Sequence, residues 1–266
     1  MNTAQKLKFL LFFSFVSTFC FSQSFSFIYE AKYRLTKEKP EDVFTEKMIL
    51  DFENNLSVFR ESSAKDADSL KLINKNGSYR MGVENQFYVK KDISNNKTEK
   101  IITYLYTNYL LPIDESLQWK ILSEQKTIGK YKSQKAEVDY GGRHWIAWFT
   151  QELPFNDGPY VFHGLPGLII SIEDTEHDYS FNLIQVKKGG NWFDARKKTI
   201  AIDWPKYDHL GKSYYNDPWN SKTARKVTFV DPQGNEKDMN EMIKQAQKSI
   251  LEENNPLELN HKINYK

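Results

Sequence analysis

From Phe25 to Leu35 the chain alternates. Phe25, Phe27, Tyr29, Ala31, Tyr33 and Leu35 fall on one side, and Ser26, Glu30, Lys32, Arg34 and Thr36 on the other, with Ile28 the exception. A period of two with one apolar and one wet face predicts an antiparallel strand. Phe44, Met48, Leu50 and Phe52 repeat the pattern with Glu46 out of step, and Asn54-Asn55 supplies a turn before Leu56 to Glu61. Ser62 to Asp68 is polar and reads as an excursion or a short helix. Asn76-Gly77 signals a turn, and Gln86 to Lys91 is expected to pair with Lys100 to Thr107 around Asn95-Asn96.

The same rhythm continues. Trp119 to Ile128 and Tyr131 to Tyr140 flank Gly129-Lys130, and Gly141-Gly142 leads into Arg143 to Thr150. Leu168 to Ile172 and Tyr179 to Lys187 form another pair, and Lys226 to Val230 is a short strand before the turn Asp231-Pro232-Gln233-Gly234. The pattern changes period at Asp238 to Leu251, where Met239, Met242, Ile243, Ala246 and Ile250 share one helical face. Asp238 with Glu241 resembles a capping box for that helix. From about Asn254 a loose tail is expected. The predicted architecture is mainly β. It is an antiparallel meander curling into an open or incomplete barrel, with the C-terminal helix packed on it. By analogy of fold alone, a curled sheet with a helix resembles the periplasmic lipid carriers of lipoprotein sorting.

The N-terminus follows a different logic. Lys6 and Lys8 precede an apolar run from Phe9 to Phe21 broken only by Ser14, Ser17 and Thr18. The run is short for a membrane span and suits a signal-peptide core, with cleavage expected after Ser22. Residues 1–22 are therefore read as signal peptide and 23–266 as one domain, with no transmembrane span after cleavage. Cys20, the single cysteine, would then leave with the signal. Phe19 in front of it argues against lipidation. A mature chain without cysteine forms no disulfide and no thiolate metal site. Removing Lys6 and Lys8 from the 37 basic residues balances the 35 acidic ones, which argues against nucleic acid as a partner.

The segment from Trp119 to Ile172 carries a resemblance. It holds Gly129-Lys130-Tyr131-Lys132-Ser133-Gln134-Lys135-Ala136 and Trp145-Ile146-Ala147-Trp148-Phe149-Thr150. Glu152-Leu153-Pro154, Gly158-Pro159, Phe162 and Gly164-Leu165-Pro166-Gly167-Leu168-Ile169 follow. This ordered set resembles the GLPGLI family of secreted Bacteroidota proteins, which implies a signal peptide, periplasmic or extracellular localisation and no established activity. Relatives often carry Cys where this chain has Ser133. The resemblance also implies a partner in the envelope, such as an outer-membrane TonB-dependent receptor.

The motif has two readings. As a folding device, its prolines fix φ and its glycines permit positive φ or close approach. As a pocket rim, His163, Gly164, Leu165, Pro166 and Gly167 would touch a ligand. Aromatic residues Trp192, Trp204, Tyr214 and Trp219 lie in loop-like sequence and either hold a sugar or peptide or close the β-core. His163 and His177 with Glu173, Asp174, Glu176 and Asp178 form the only mixed metal-like set, and a solvated turn explains it better. His144, His209 and His261 have no helical ligand spacing, and there is no nucleophile elbow, S-x-x-K pair or phosphate loop. No catalytic residue, metal or cofactor is expected. Asp68-Ser69-Leu70 matches a short O-glycosylation sequence of Bacteroidota, which makes Ser69 a candidate modification site. The reading is a non-enzymatic binding or accessory protein of the envelope. The alternatives are a carrier of a lipid or other apolar ligand in a half-barrel, and an unrecognised hydrolase. N-terminal sequencing of the envelope protein is expected to begin at or near Gln23. An intact Met1 or a lipidated Cys20 would overturn it.

Overall fold

Two-residue turns of positive φ set the strand pairing. Asn54 and Asn55 (φ 52° and 64°) and Gly141 and Gly142 (64° and 75°) adopt the left-handed pair whose twist matches that of the flanking strands. The computed structural model describes residues 24–72, 82–105, 107–189, 193–218, 233–234, 236 and 238–265. Strands β1 (Phe25–Tyr33), β2 (Phe44–Glu53) and β3 (Leu56–Glu61) precede helix α1 (Ser62–Leu72). Strands β4 (Val89–Asp92), β5 (Lys97–Tyr104), β6 (Thr107–Pro112), β7 (Lys120–Ile128), β8 (Tyr131–Tyr140) and β9 (Arg143–Thr150) follow. After them come β10 (Leu168–Asp174), β11 (Tyr179–Lys188), β12 (Thr199–Ala201), α2 (Trp204–Asn216) and α3 (Met239–Glu252).

The strands form one open sheet in the order β12-β6-β5-β4-β3-β2-β1-β11-β10-β9-β8-β7. It is two meanders joined where β1 pairs with β11, so the first strand lies at the centre. Every pairing is antiparallel except β12 with β6. The sheet is mostly β meander as expected and does not close into a barrel. Phe27, Tyr29, Ala31 and Tyr33 of β1 are buried, as alternation requires. Glu46 follows the apolar side because it accepts a hydrogen bond from Tyr33 Oη at 2.9 Å.

The apolar face wraps around residues 151–167. The ring of Phe155 lies 4.8, 5.0 and 5.1 Å from those of Phe25, Phe27 and Phe52, whereas Phe162 packs at 4.7 Å on Trp145 and 5.6 Å on Tyr140. One loop therefore bridges the two meanders from inside. Such a core ring is worth several kcal/mol, because burial and packing both count.

The structure departs from the sequence reading in four places. β6 and the short β12 carry no clear alternation and were not expected. Helix α1 runs on to Leu72. The helix at Asp238 is present as α3, capped by Asp238, which accepts from the Asn240 N–H, but it buries no side chain and rests on α2. It is α2 that packs on the sheet, through Tyr207 against Ile102 and Leu111. The tail is not loose: Asn255, Leu257, Glu258 and Ile263 are buried. Asn76-Gly77 and Lys226 to Val230 lie outside the described residues.

Arg143 fastens that tail. Its Nε donates to Leu257 O at 2.9 Å, Nη1 to Asp174 (2.7 Å) and Asp178 (3.1 Å), and Nη2 to Asn255 Oδ1 (2.7 Å) and Pro256 O (2.9 Å). All five guanidinium N–H groups thus have acceptors, and the group lies 4.8 Å over the Tyr179 ring. Arg143→Ala would leave Asp174 buried without its cation and free the tail. It is expected to cost on the order of 3–5 kcal/mol in chemical denaturation. A wild-type midpoint would refute this role.

Candidate functional site

The chain between β9 and β10 folds back on itself before it reaches the motif. Gly164 N–H donates to Asn156 O (3.0 Å), Leu168 N–H to Leu153 O (2.9 Å) and Ile169 N–H to Asp157 O (3.0 Å). Asp157 is fully buried and caps its own turn by accepting from Gly158 N–H at 2.8 Å. Lys91, also buried, pairs with Asp157 at 2.5 Å and donates to Gly158 O at 2.6 Å. Burial lowers the Lys91 pKa, and the Asp157 carboxylate opposes the shift. Tyr160 is held at φ 53°, costly for a bulky residue. Its hydroxyl donates to Glu258, which also accepts from Tyr140 (3.1 Å) and Lys100 (3.0 Å). Burial pushes the Glu258 carboxyl up, but Lys100 and these hydrogen bonds outweigh it and hold the group below the usual carboxylate range.

These supports shape a cleft of about 300 Å3. Its walls are Asn96 and Thr98 at the start of β5, residues 113–117 and Trp119 before β7, Tyr140 of β8, and Val161, His163 and Gly164 of the motif loop. Thr98 Oγ1 and His163 Nε2 share a hydrogen bond of 3.1 Å, and Trp119 Nε1 donates to His163 O at 2.8 Å. Burial, aided by the Lys91 charge, lowers the His163 pKa to about 4, with Asp157 opposing. The imidazole is therefore neutral at pH 7. A neutral imidazole beside a hydroxyl resembles a general-base pair, but so low a pKa makes a poor base at that pH. The groups present can offer a ligand hydroxyl, amide and imidazole groups that donate or accept hydrogen bonds, and carboxylates that accept them.

Of the motif residues, His163 and Gly164 line this cleft, while Leu165 and Gly167 are buried and Pro166 is exposed. A Cβ on Gly167 would stand 2.2 Å from Thr150 O, so only glycine fits there. Gly164 has φ +93° with open space around it. The hexapeptide is thus folding chemistry from Leu165 onward and cleft wall before it. Trp204 and Tyr214 are corrected from loop to helix: Asp203 caps α2 by accepting from Lys206 N–H at 3.0 Å, with Pro205 in its first turn. Trp204 stacks on His261 at 3.6 Å and Tyr214 meets Tyr104 edge-on, so both pack inward at the margin of the second core. Trp192 and Trp219 lie outside the described residues.

His177 bonds Glu173 at 3.3 Å in an exposed turn, whereas Asp174 and Asp178 serve Arg143, so the His163–His177 set is not assembled. No group of three metal-ligating side chains occurs among the described residues. His144 meets Asp139 at 2.7 Å on an exposed strand face. Ser69 is exposed on α1, next to a buried Asp68 that pairs with Arg60 and Arg196. Thr98 and Asn96 escaped sequence reasoning because nothing local marks them. Trp119 could have been found as an indole donor at the edge of a polar strand.

A family model described as a protein of unknown function (Porph_ging) matches residues 140–171, from the end of β8 through the motif loop into β10. No curated protein matches the chain. Two structures of PNGF-II, in different crystal forms, share the fold with TM-scores of 0.54 and 0.53 at 14% and 13% identity. The alignments cover 71% of this chain and 33% and 32% of those chains, so this chain matches about a third of their length. At that identity the likeness is one of fold alone.

Because the folded pKa of His163 lies below its unfolded value of 6.5, the unfolded state takes up a proton first as pH falls. Stability should therefore drop by roughly 3 kcal/mol between pH 6.5 and about 4. His163→Gln is expected to flatten that part of the pH–stability curve. An unchanged curve would show that the imidazole is not held neutral.

Proposed function

We propose that the chain is an exported, non-enzymatic binding or accessory protein of the cell envelope, of the GLPGLI kind, with the cleft beside His163 as its ligand site. The observation that carries this reading is the cleft itself: a polar recess walled by four separate segments, with an imidazole kept neutral at its side. Neutral imidazole and hydroxyl groups bind by hydrogen bonding, and Asp114 and Glu115 in the wall add carboxylate acceptors for a ligand that carries donors. In the envelope such a module would act beside an outer-membrane receptor.

The carrier reading has less support, because Phe155, Phe162, Leu165 and Leu257 occupy the apolar face of the sheet where a chain-like ligand would lie. The hydrolase reading is weakened by the low basicity of His163. Native mass spectrometry of the protein purified from its own envelope tests the proposal. A retained ligand or partner that is lost in His163→Gln at unchanged melting temperature is the expected result. Retention that ignores this substitution would move the site elsewhere, and turnover of the retained molecule would restore the hydrolase.

A further inference from the structure

A second recess lies where the sheet splits. β10 and β11 pair only over Ser171–Glu173 and Ser180–Asn182. Beyond that point two bulges follow. Ile170 drops out of register with β9, and Ile184 out of register with β1. A bulge leaves a residue unpaired and bends its strand, so β10 and β11 part and open a groove of about 470 Å3. Ile128, Tyr131, Ile170, Leu183, Ile184 and Val186 line it, and Ile184 is 52% exposed.

Lysines lie at the same end of the sheet as this apolar strip. Lys130 forms part of the wall, Lys132 follows on β8, and Lys187 and Lys188 continue β11 directly after Val186. All four are exposed, and none has an ion-pair partner among the described residues. Glu152, whose carboxylate accepts from Lys132 N–H at 2.8 Å, is an acid at the same end. The chain also enters here. Gly189 N–H donates to Ser24 O at 2.8 Å, and Ser24 closely follows the apolar run Phe9 to Phe21.

We propose that the lysine-flanked groove is a seat for an anionic lipid surface, with Ile184 and its neighbours entering the interface and the exposed lysines at this end of the sheet meeting the headgroups. Apolar side chains flanked by cations match the interfacial region of a negatively charged leaflet, where burial and charge attraction act together. The groove is separate from the cleft beside His163, and either can stand without the other.

The test is co-sedimentation of the exported chain with vesicles of phosphatidylcholine, alone or mixed with phosphatidylglycerol. Binding to the mixed vesicles only, weakening as salt rises, is expected. Lys130→Gln, Lys187→Gln and Lys188→Gln together should lower that affinity about tenfold or more, and Ile184→Ser should lower it at unchanged melting temperature. Equal binding to both vesicle types, or variants that bind like wild type, would overturn the proposal. So would capture of monomeric lauric acid by a protein that ignores vesicles, which would make the groove an amphiphile pocket.

Discussion

The Arg143 guanidinium is the point on which three segments distant in the chain converge. A buried cation is costly unless each donor is met. Here β9 supplies the cation, the β10–β11 hairpin supplies two carboxylates, and the tail supplies a side-chain amide and two carbonyls. None of those acceptors is close to Arg143 in sequence. The pairing adds little net stability over an apolar substitute, but it admits one arrangement of three segments. With the tail placed, Leu257 enters the core and Glu258 reaches Lys100, Tyr140 and Tyr160.

That chain of buried charges explains why the candidate sites lie at the margins. An open sheet with one apolar face must cover it or expose it, and this protein covers it with its own loop and tail. What remains for ligands is the seam where filling elements meet the sheet. The cleft beside His163 is such a seam, between the motif loop and the β6–β7 connection. The groove at Ile184 is another, made where two bulges prevent the ladder from continuing.

The candidate cleft was half legible in the sequence. His163 and Gly164 stood out because they adjoin a proline-glycine motif. Thr98 and Asn96 come from a strand and a turn that meet the motif loop only in the folded sheet, and no local pattern announces them as wall residues. The aromatic residues Trp204 and Tyr214 drew attention by number and by their Asn- and Asp-rich neighbours. A cap at Asp203 and a proline in the first turn made that stretch a helix and turned both rings inward.

By itself the sequence determined the local geometry. Alternation marked β1 and β2, turn residues between apolar runs marked the hairpins of β7 to β11, and the 3.6-residue pattern marked α3, because each depends on residues close together in the chain. Gly167 was also readable as a position where glycine has a structural task, although the reason, 2.2 Å between its absent Cβ and Thr150 O, was not. Only the tertiary structure decided that β1 sits at the centre beside β11, that the tail is buried, and that Arg143, Lys91 and Lys100 are interior cations. Those outcomes depend on partners more than sixty residues away in the chain for Lys91 and more than a hundred for Arg143 and Lys100. Periodicity reports which face of a strand is apolar; it carries no information about which distant acceptor will meet a buried charge.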